Sequence, residues 1–293
     1  MTARRRWQAL AGVLVLFVVI AGFGLGPFVT AFKSLTPLAA LVALCWGLVP
    51  VVTHAERWRS VAHAFQSAPP RARAMAAIYQ SSFLNMVLPG GVAGDVLRAI
   101  DHPVGTRPKG GSGARVVTAE RLLGTAVTML GAIVAIMFTG LNLAWGLLGL
   151  GLTAVLLTLV WLLAARHLPA LRVLRALVWS LLMWLSLLAL TVYGSTLALP
   201  DLSLTSATAL GAICLAAMAI PVNVGGWGPR EGLTALAAVV WGLPAQSGVV
   251  LAATFGVLAL IGTLPGAVVL VMTVLRPRES PGTTPGSASR LRA

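Results

Sequence analysis

Arginine, aspartate and glutamate gather at two places in this 293-residue chain where apolar sequence is broken by a glycine pair. The first reads NMVLPGGVAGDVLRA, from Asn85 to Ala99, and the second AIPVNVGGWGPREG, from Ala219 to Gly232. In the first, Pro89 removes a backbone donor and clashes with the preceding turn, while Gly90, Gly91 and Gly94 permit positive φ and close backbone approach. A helix restarting after such a break presents N–H groups without partners, a natural seat for phosphate. Asp95 and Arg98 stand three apart and share a helix face, so they can pair. In the second, Pro221, Gly225, Gly226, Gly228 and Pro229 exclude a regular helix. Arg230 and Glu231 are adjacent and point in different directions on a helix, so each is expected to find a partner elsewhere. Asn85 and Asn223 suit freed backbone or a lipid headgroup. Trp227 reads first as an interfacial anchor, with a stacking role as the alternative. A third pair, Glu120 and Arg121, opens the apolar run VVTAERLLGTAVTML. It fits either a snorkelling interfacial pair or the same polar set.

A charge at the centre of a bilayer costs about 2.5–3.5 kcal/mol, so six unpaired ones would cost on the order of 15–20 kcal/mol. That exceeds the stability of an ordinary fold. Asp95, Glu120 and Glu231 equal Arg98, Arg121 and Arg230 in number. The expectation is one shared polar cluster where the broken segments meet, with crossed pairs Asp95–Arg230 and Arg98–Glu231.

The elements that must carry these residues are membrane helices. The chain is 58% hydrophobic and 10% charged, against about 25% charged in a soluble domain. The apolar runs are long and lack strand alternation, which predicts an all-α polytopic membrane protein rather than a barrel. The net charge of +14 sits mainly in short loops, as the positive-inside rule requires; this argues against a nucleic-acid partner and for anionic lipid headgroups. Cys45 and Cys214 lie in apolar runs and suggest neither a disulfide nor a metal site. His54, Glu56 and His63 are read in a basic loop, with spacing unsuited to a metal. The chain has no Walker loop, His-Glu-x-x-His or Gly-x-Ser-x-Gly motif, so no catalytic residue and no cofactor are assigned, and a transporter is favoured over an enzyme.

About 20 apolar residues cross a bilayer. Spans are expected near 8–30, 36–53, 116–138, 142–165, 176–199 and 247–275, with the broken segments near 74–99 and 207–242. Arginines 4 to 6, the loops 54–73 and 98–115, Arg166 to Arg175 and the tail after Leu275 are basic and read as cytoplasmic, both termini included. The flanks of the first broken segment then lie on one side, as a re-entrant hairpin requires. A second hairpin from the other side completes an inverted repeat, a pattern that marks transport sites. Its halves are about 1–140 and 141–275 of one transmembrane domain; two ordinary crossings are the alternative. Residues 276–293, rich in Pro, Gly and Ser, read as a disordered tail.

At these residues the chain resembles a known family. Asn85–Ala99 is similar to the "N-x-x-x-P-G-G-x-x-G-D-x-x-R" element of the lysylphosphatidylglycerol synthase transmembrane region. Thr118–Gly124, TAERLLG, resembles its "E/D-R-x-x-G" element, and Pro221–Gly232 its C-terminal "P-x-x-x-G-G-x-G-x-R-E-G" element. Ala93–Gly94 stands where family members often carry a second glycine pair. In two-domain members the membrane part is regarded as a lipid flippase, and a separate soluble domain transfers the amino acid. No such domain is expected here, so the resemblance implies a stand-alone flippase-like protein of the cytoplasmic membrane. The matching positions are Asn85, Pro89, Gly90, Gly91, Gly94, Asp95, Arg98, Glu120, Arg121, Pro221, Gly225, Gly226, Gly228, Arg230, Glu231 and Gly232. The implied substrate is a phosphate-bearing lipid, either an anionic phospholipid or an isoprenoid phosphate. Arg98, Arg230 and Arg121 are expected on the phosphate, with Asp95 and Glu231 holding the arginines until it arrives. The other readings are a membrane enzyme or accessory subunit acting on lipid-linked sugars, and a non-transporting scaffold. Oligomeric state is not legible.

Overall fold

The computed structural model describes residues 17, 20–88, 91–101, 112–138, 143–163, 169–220 and 227–275. They form twelve α-helices. In chain order these are α1 (Gly26–Lys33), α2 (Pro37–Trp46), α3 (Leu48–Ala62), α4 (Arg71–Val87), α5 (Ala93–Ile100), α6 (Ser112–Phe138), α7 (Leu143–Leu163), α8 (Ala170–Ala198), α9 (Leu204–Ala217), α10 (Pro229–Val240), α11 (Ala245–Thr263) and α12 (Pro265–Leu275). The protein is thus all-α and polytopic.

Four stretches are long and apolar enough to cross a membrane: Pro37–Phe65, Gly113–Ala135, Ala170–Ala198 and Ala245–Thr263. They coincide with four of the expected spans. The 21-residue α7 covers a fifth and carries no charged side chain. The expected span at 8–30 is described only at residue 17 and from residue 20 on, where helix is interrupted at Gly24, with φ 70°, before α1 begins; the tail lies outside the described residues. The last expected span divides at Pro265, which starts α12.

The first described span runs further than its hydropathy suggests. Thr36 caps α2, its hydroxyl accepting the Ala39 N–H at 3.1 Å, with Pro37 at the first helical position. Helix continues past Gly47 through α3 to a short 3-10 turn, His63–Phe65, and stops at Gln66, whose φ is 51°. The polar sequence from His54 onward, expected in a loop, is therefore helical. The reason is two-faced spacing. His54, Arg57 and Trp58 point inward, while Glu56, Arg59, Ser60 and His63 (positions i, i+3, i+4 and i+7) share another face.

The broken segments are two helix pairs. In the first, α5 folds back along α4. Gly94 abuts the backbone of Ser81 so closely that a Cβ there would overlap it. The eight residues of α5 span about 12 Å, too short for a core about 30 Å thick. In the second, α9 and α10 pack together and measure 14 and 12 residues, again short of a span.

Helix α11 is the centre of the bundle and packs against α1, α2, α8 and α10. Its Val249, Leu251, Ala252, Phe255 and Leu258 are fully buried. Glycines set the closest crossings: a Cβ on Gly47 would strike the backbone of Gly262, and one on Gly131 the Trp184 ring. Small residues let membrane helices approach this way. Leucines on α7 and α8, among them Leu150, Leu152, Leu181 and Leu185, face outward, as a lipid-facing surface requires.

Candidate functional site

The break after α4 is made locally. The helix ends at Leu88, in extended conformation, and Gly91 has φ 56°, which costs glycine little. Pro89 and Gly90 lie outside the described residues. Asn85 closes the hairpin: its Oδ1 accepts the Gly94 N–H at 2.8 Å and its Nδ2 donates to Asp95 Oδ2 at 3.0 Å. Asp95 is the third residue of α5, where a carboxylate suits the helix dipole. Together they fill the restarted helix end, so the N–H expected to face phosphate is partly satisfied by the chain itself.

Around Asp95 and Glu120 lies a buried ionic network. Glu120, fully buried, accepts through Oε2 from Arg98 Nη2 at 2.7 Å. Its Oε1 takes the Nε and Nη2 of Arg57 and lies 3.1 Å from His54 Nε2. Arg98 Nη2 also donates to Asp95 Oδ1 at 3.0 Å, the expected i, i+3 pair. Its Nη1 is 3.2 Å from His54 Nε2, so that ring nitrogen serves Glu120 as a donor or Arg98 as an acceptor, according to tautomer. The Arg98 guanidinium stands 5.0 Å over the Trp58 ring. Arg121 differs from the others. Its Nε bonds Asp95 Oδ2 at 2.9 Å and its Nη2 the Gly91 carbonyl at 3.1 Å, yet its side chain is 44% exposed.

The second network is separate. Arg230 and Glu231, both fully buried, pair with each other: Nε to Oε1 at 3.0 Å and Nη2 to Oε1 at 2.7 Å. Glu231 Oε2 accepts the Gly228 N–H at 2.7 Å, capping α10 after a glycine with φ 108°. Trp227 stacks on Arg230, its ring centroid 4.8 Å from Cζ, and Phe255 lies at 5.7 Å on α11. A desolvated guanidinium gains from such aromatic faces. Trp227 therefore covers an arginine rather than serving only as an interfacial anchor. Pro221, Asn223, Gly225 and Gly226 lie outside the described residues.

The crossed pairs Asp95–Arg230 and Arg98–Glu231 do not form. Arg98 goes to Asp95 and Glu120, and Arg230 to its neighbour. A neighbour pair is not expected from spacing alone, because consecutive residues diverge on a regular helix. At a helix start, however, the capping Glu231 bends back toward Gly228, which brings its carboxylate under the Arg230 side chain. The charges consequently do not balance in one cluster. The first network holds three arginines and two carboxylates, the second one of each.

Arg57 and His54 were missed by sequence reasoning, which assigned them to a loop. Their signal was the i, i+3 spacing, legible only if the helix is extended through residue 62. The network also makes use of Gly124, which leaves room for the Arg57 guanidinium.

A cavity of about 240 Å³ lies beside the first network. His54, Asn85, Gly91 and Arg121 line its polar side; Met183, Leu187 and Leu190 of α8 and Phe255 and Ala259 of α11 line its apolar side. Phe255 thus has one contact with the cavity and another with Arg230.

The family model described as "Lysylphosphatidylglycerol synthase TM region" matches residues 7–176, more than half of the chain. The protein belongs to the lysylphosphatidylglycerol synthase transmembrane-region family. The family match contains the first network entire, from His54 to Arg121, and stops before the second. No curated protein and no solved structure matches the chain. Family membership and the apolar helices together make this a multi-pass membrane protein.

Proposed function

We propose that this protein is a lipid flippase, moving a phosphate-bearing lipid across the cytoplasmic membrane. The headgroup passes through the cavity beside Arg121 while the acyl chains stay in the bilayer. The observation that carries this reading is the cavity's two unlike walls. One offers a half-exposed guanidinium, an asparagine and a histidine, and the other, from α8 and α11, is apolar apart from Thr263. At about 240 Å³ it falls below the range of about 300–1,000 Å³ usual for small-molecule pockets. It suits a headgroup, not a whole lipid.

Roles among the arginines follow from exposure. Arg98 and Arg230 are buried and committed to carboxylates, so they hold the helix breaks in shape. Arg121 reaches the cavity and takes the phosphate. The surplus arginine of the first network gives that wall a net positive charge, and Asp95 competes for Arg121 so that the anion is released again. Hairpins entering from opposite sides, both termini in the cytoplasm, form the inverted repeat on which alternating access operates.

Reconstitution into vesicles with a dithionite-quenchable fluorescent lipid tests this. We expect protein-dependent loss of sidedness for anionic phospholipids or isoprenoid phosphates. No change across a panel of both classes would overturn the proposal.

A further inference from the structure

The outer face of α3 builds a second polar cavity, of about 510 Å³, with the starts of α4 and α8. Arg59, Arg71, Arg172 and Arg175 line it, with Glu56 as the one carboxylate among its lining residues. Glu56 is already engaged. Its Oε1 accepts from Arg71 Nε at 2.9 Å and Arg59 Nη1 at 3.0 Å, and its Oε2 from the same Arg59 nitrogen at 2.8 Å. Arg59 Nε is further held by the Pro69 carbonyl at 2.9 Å. Arg172 and Arg175, three apart on α8, have no carboxylate partner among the described residues. Four arginines thus line one pocket with a single carboxylate, which two of them already occupy. The pocket therefore carries a net positive charge that an anionic headgroup complements.

The same cavity reaches into lipid-facing surface. Leu174 and Val178, one turn apart on α8, are exposed beside Trp179, which also lines the cavity. Charge at one end and an apolar strip leading away from it is the outline of a phospholipid rather than of a free ion. The arginines lie at the end of the bundle that loop charge assigns to the cytoplasm, where basic pockets between helices bind anionic headgroups.

We infer that this cavity is a resident-lipid site. It holds the phosphodiester head of an anionic phospholipid between Arg172, Arg175 and Arg59, with an acyl chain along Leu174 and Val178. The site is separate from the Arg121 cavity, on the other side of α3, and does not depend on whether the protein flips lipid. The lipid bound there staples α3, α4 and α8 at their shared end.

Native mass spectrometry of the protein released from nanodiscs of mixed phosphatidylglycerol and phosphatidylcholine, matched in chain length, tests the site. We expect the wild type to retain phosphatidylglycerol preferentially. The Arg172→Gln/Arg175→Gln variant should lose that preference by roughly twenty-fivefold, since each basic residue near a membrane surface contributes about fivefold. The Arg172→Lys/Arg175→Lys variant, which keeps the charge, should retain most of it and serves as the folding control. Lys33→Gln, exposed and outside both cavities, should leave retention unchanged. Equal retention of both lipids by the wild type, or undiminished preference in the glutamine variant, would overturn the inference. Inorganic phosphate retained by the wild type in place of phosphatidylglycerol, and lost in the glutamine variant, would overturn its lipid part and assign the pocket to a free anion.

Discussion

Gly124 vacates the volume that the Arg57 guanidinium fills: a Cβ at position 124 would lie 2.6 Å from Nη1. The second half of the chain repeats the device, with Gly256 leaving room for the guanidinium of Arg230. In each case a buried arginine reaches its carboxylate only because the facing helix lacks a side chain at one point. The expected outcome is that Gly124→Ala and Gly256→Ala each destabilise the protein by about 1–3 kcal/mol, the usual range for overpacking. Unfolding midpoints in a denaturing detergent titration would read this, with Gly151→Ala, where a Cβ meets open space, as the neutral comparison.

Glu120 is the one carboxylate that ties α3 to α5 through α6. Removing it leaves Arg57 and Arg98 buried with too little negative charge. Glu120→Ala should therefore cost about 3–5 kcal/mol, the range for breaking a buried ion pair. Glu120→Gln, which keeps a shape and some hydrogen bonds, should cost less. Thermal unfolding in detergent distinguishes them, and the double variant Glu120→Ala/Arg57→Met should recover part of the loss because no unpaired charge remains at that position.

At the start of α10, Glu231 has two tasks: it pairs with Arg230 and it caps Gly228. Glu231→Gln removes the charge but leaves an oxygen for the cap. Glu231→Ala removes both and should cost about 1 kcal/mol more, the typical worth of a helix cap. The comparison is read as a difference between two midpoints, so it does not require either variant to be fully stable.

The proposed orientation is checked with single cysteines in a Cys45→Ala/Cys214→Ala background. Loop charge puts Lys33 and Asp201 outside and Ala72 inside. Lys33→Cys and Asp201→Cys should react with a membrane-impermeant maleimide in intact cells, and Ala72→Cys only after lysis. Reaction of all three in intact cells would remove the inverted repeat.

Much of this arrangement was legible in the sequence. Hydropathy placed the described spans, because about 20 apolar residues have little alternative to crossing a bilayer. The break between α4 and α5 was legible because proline and glycines in an apolar run interrupt a helix. Pairing was less so. Asp95–Arg98 follows from helical spacing, whereas Arg230–Glu231 depends on how a capping side chain bends at a helix start. Arg57 and His54 escaped because polar residues at the end of an apolar run resemble a loop. Only their inward partner Glu120, 63 positions away from Arg57, shows why the helix continues. The splitting of one expected polar cluster into two is likewise a matter of packing: Phe255, deep in α11, sets Arg230 apart from the cavity.

Arg121 is where the proposed activity is most exposed to contradiction. In proteoliposomes of an Arg121→Cys/Cys45→Ala protein, we expect transport of the anionic fluorescent lipid to fall to background. Modification with a cationic methanethiosulfonate reagent should restore it, and modification with an anionic one should not. Transport that survives Arg121→Cys unchanged, or that responds equally to both reagents, would contradict a phosphate path along this side chain.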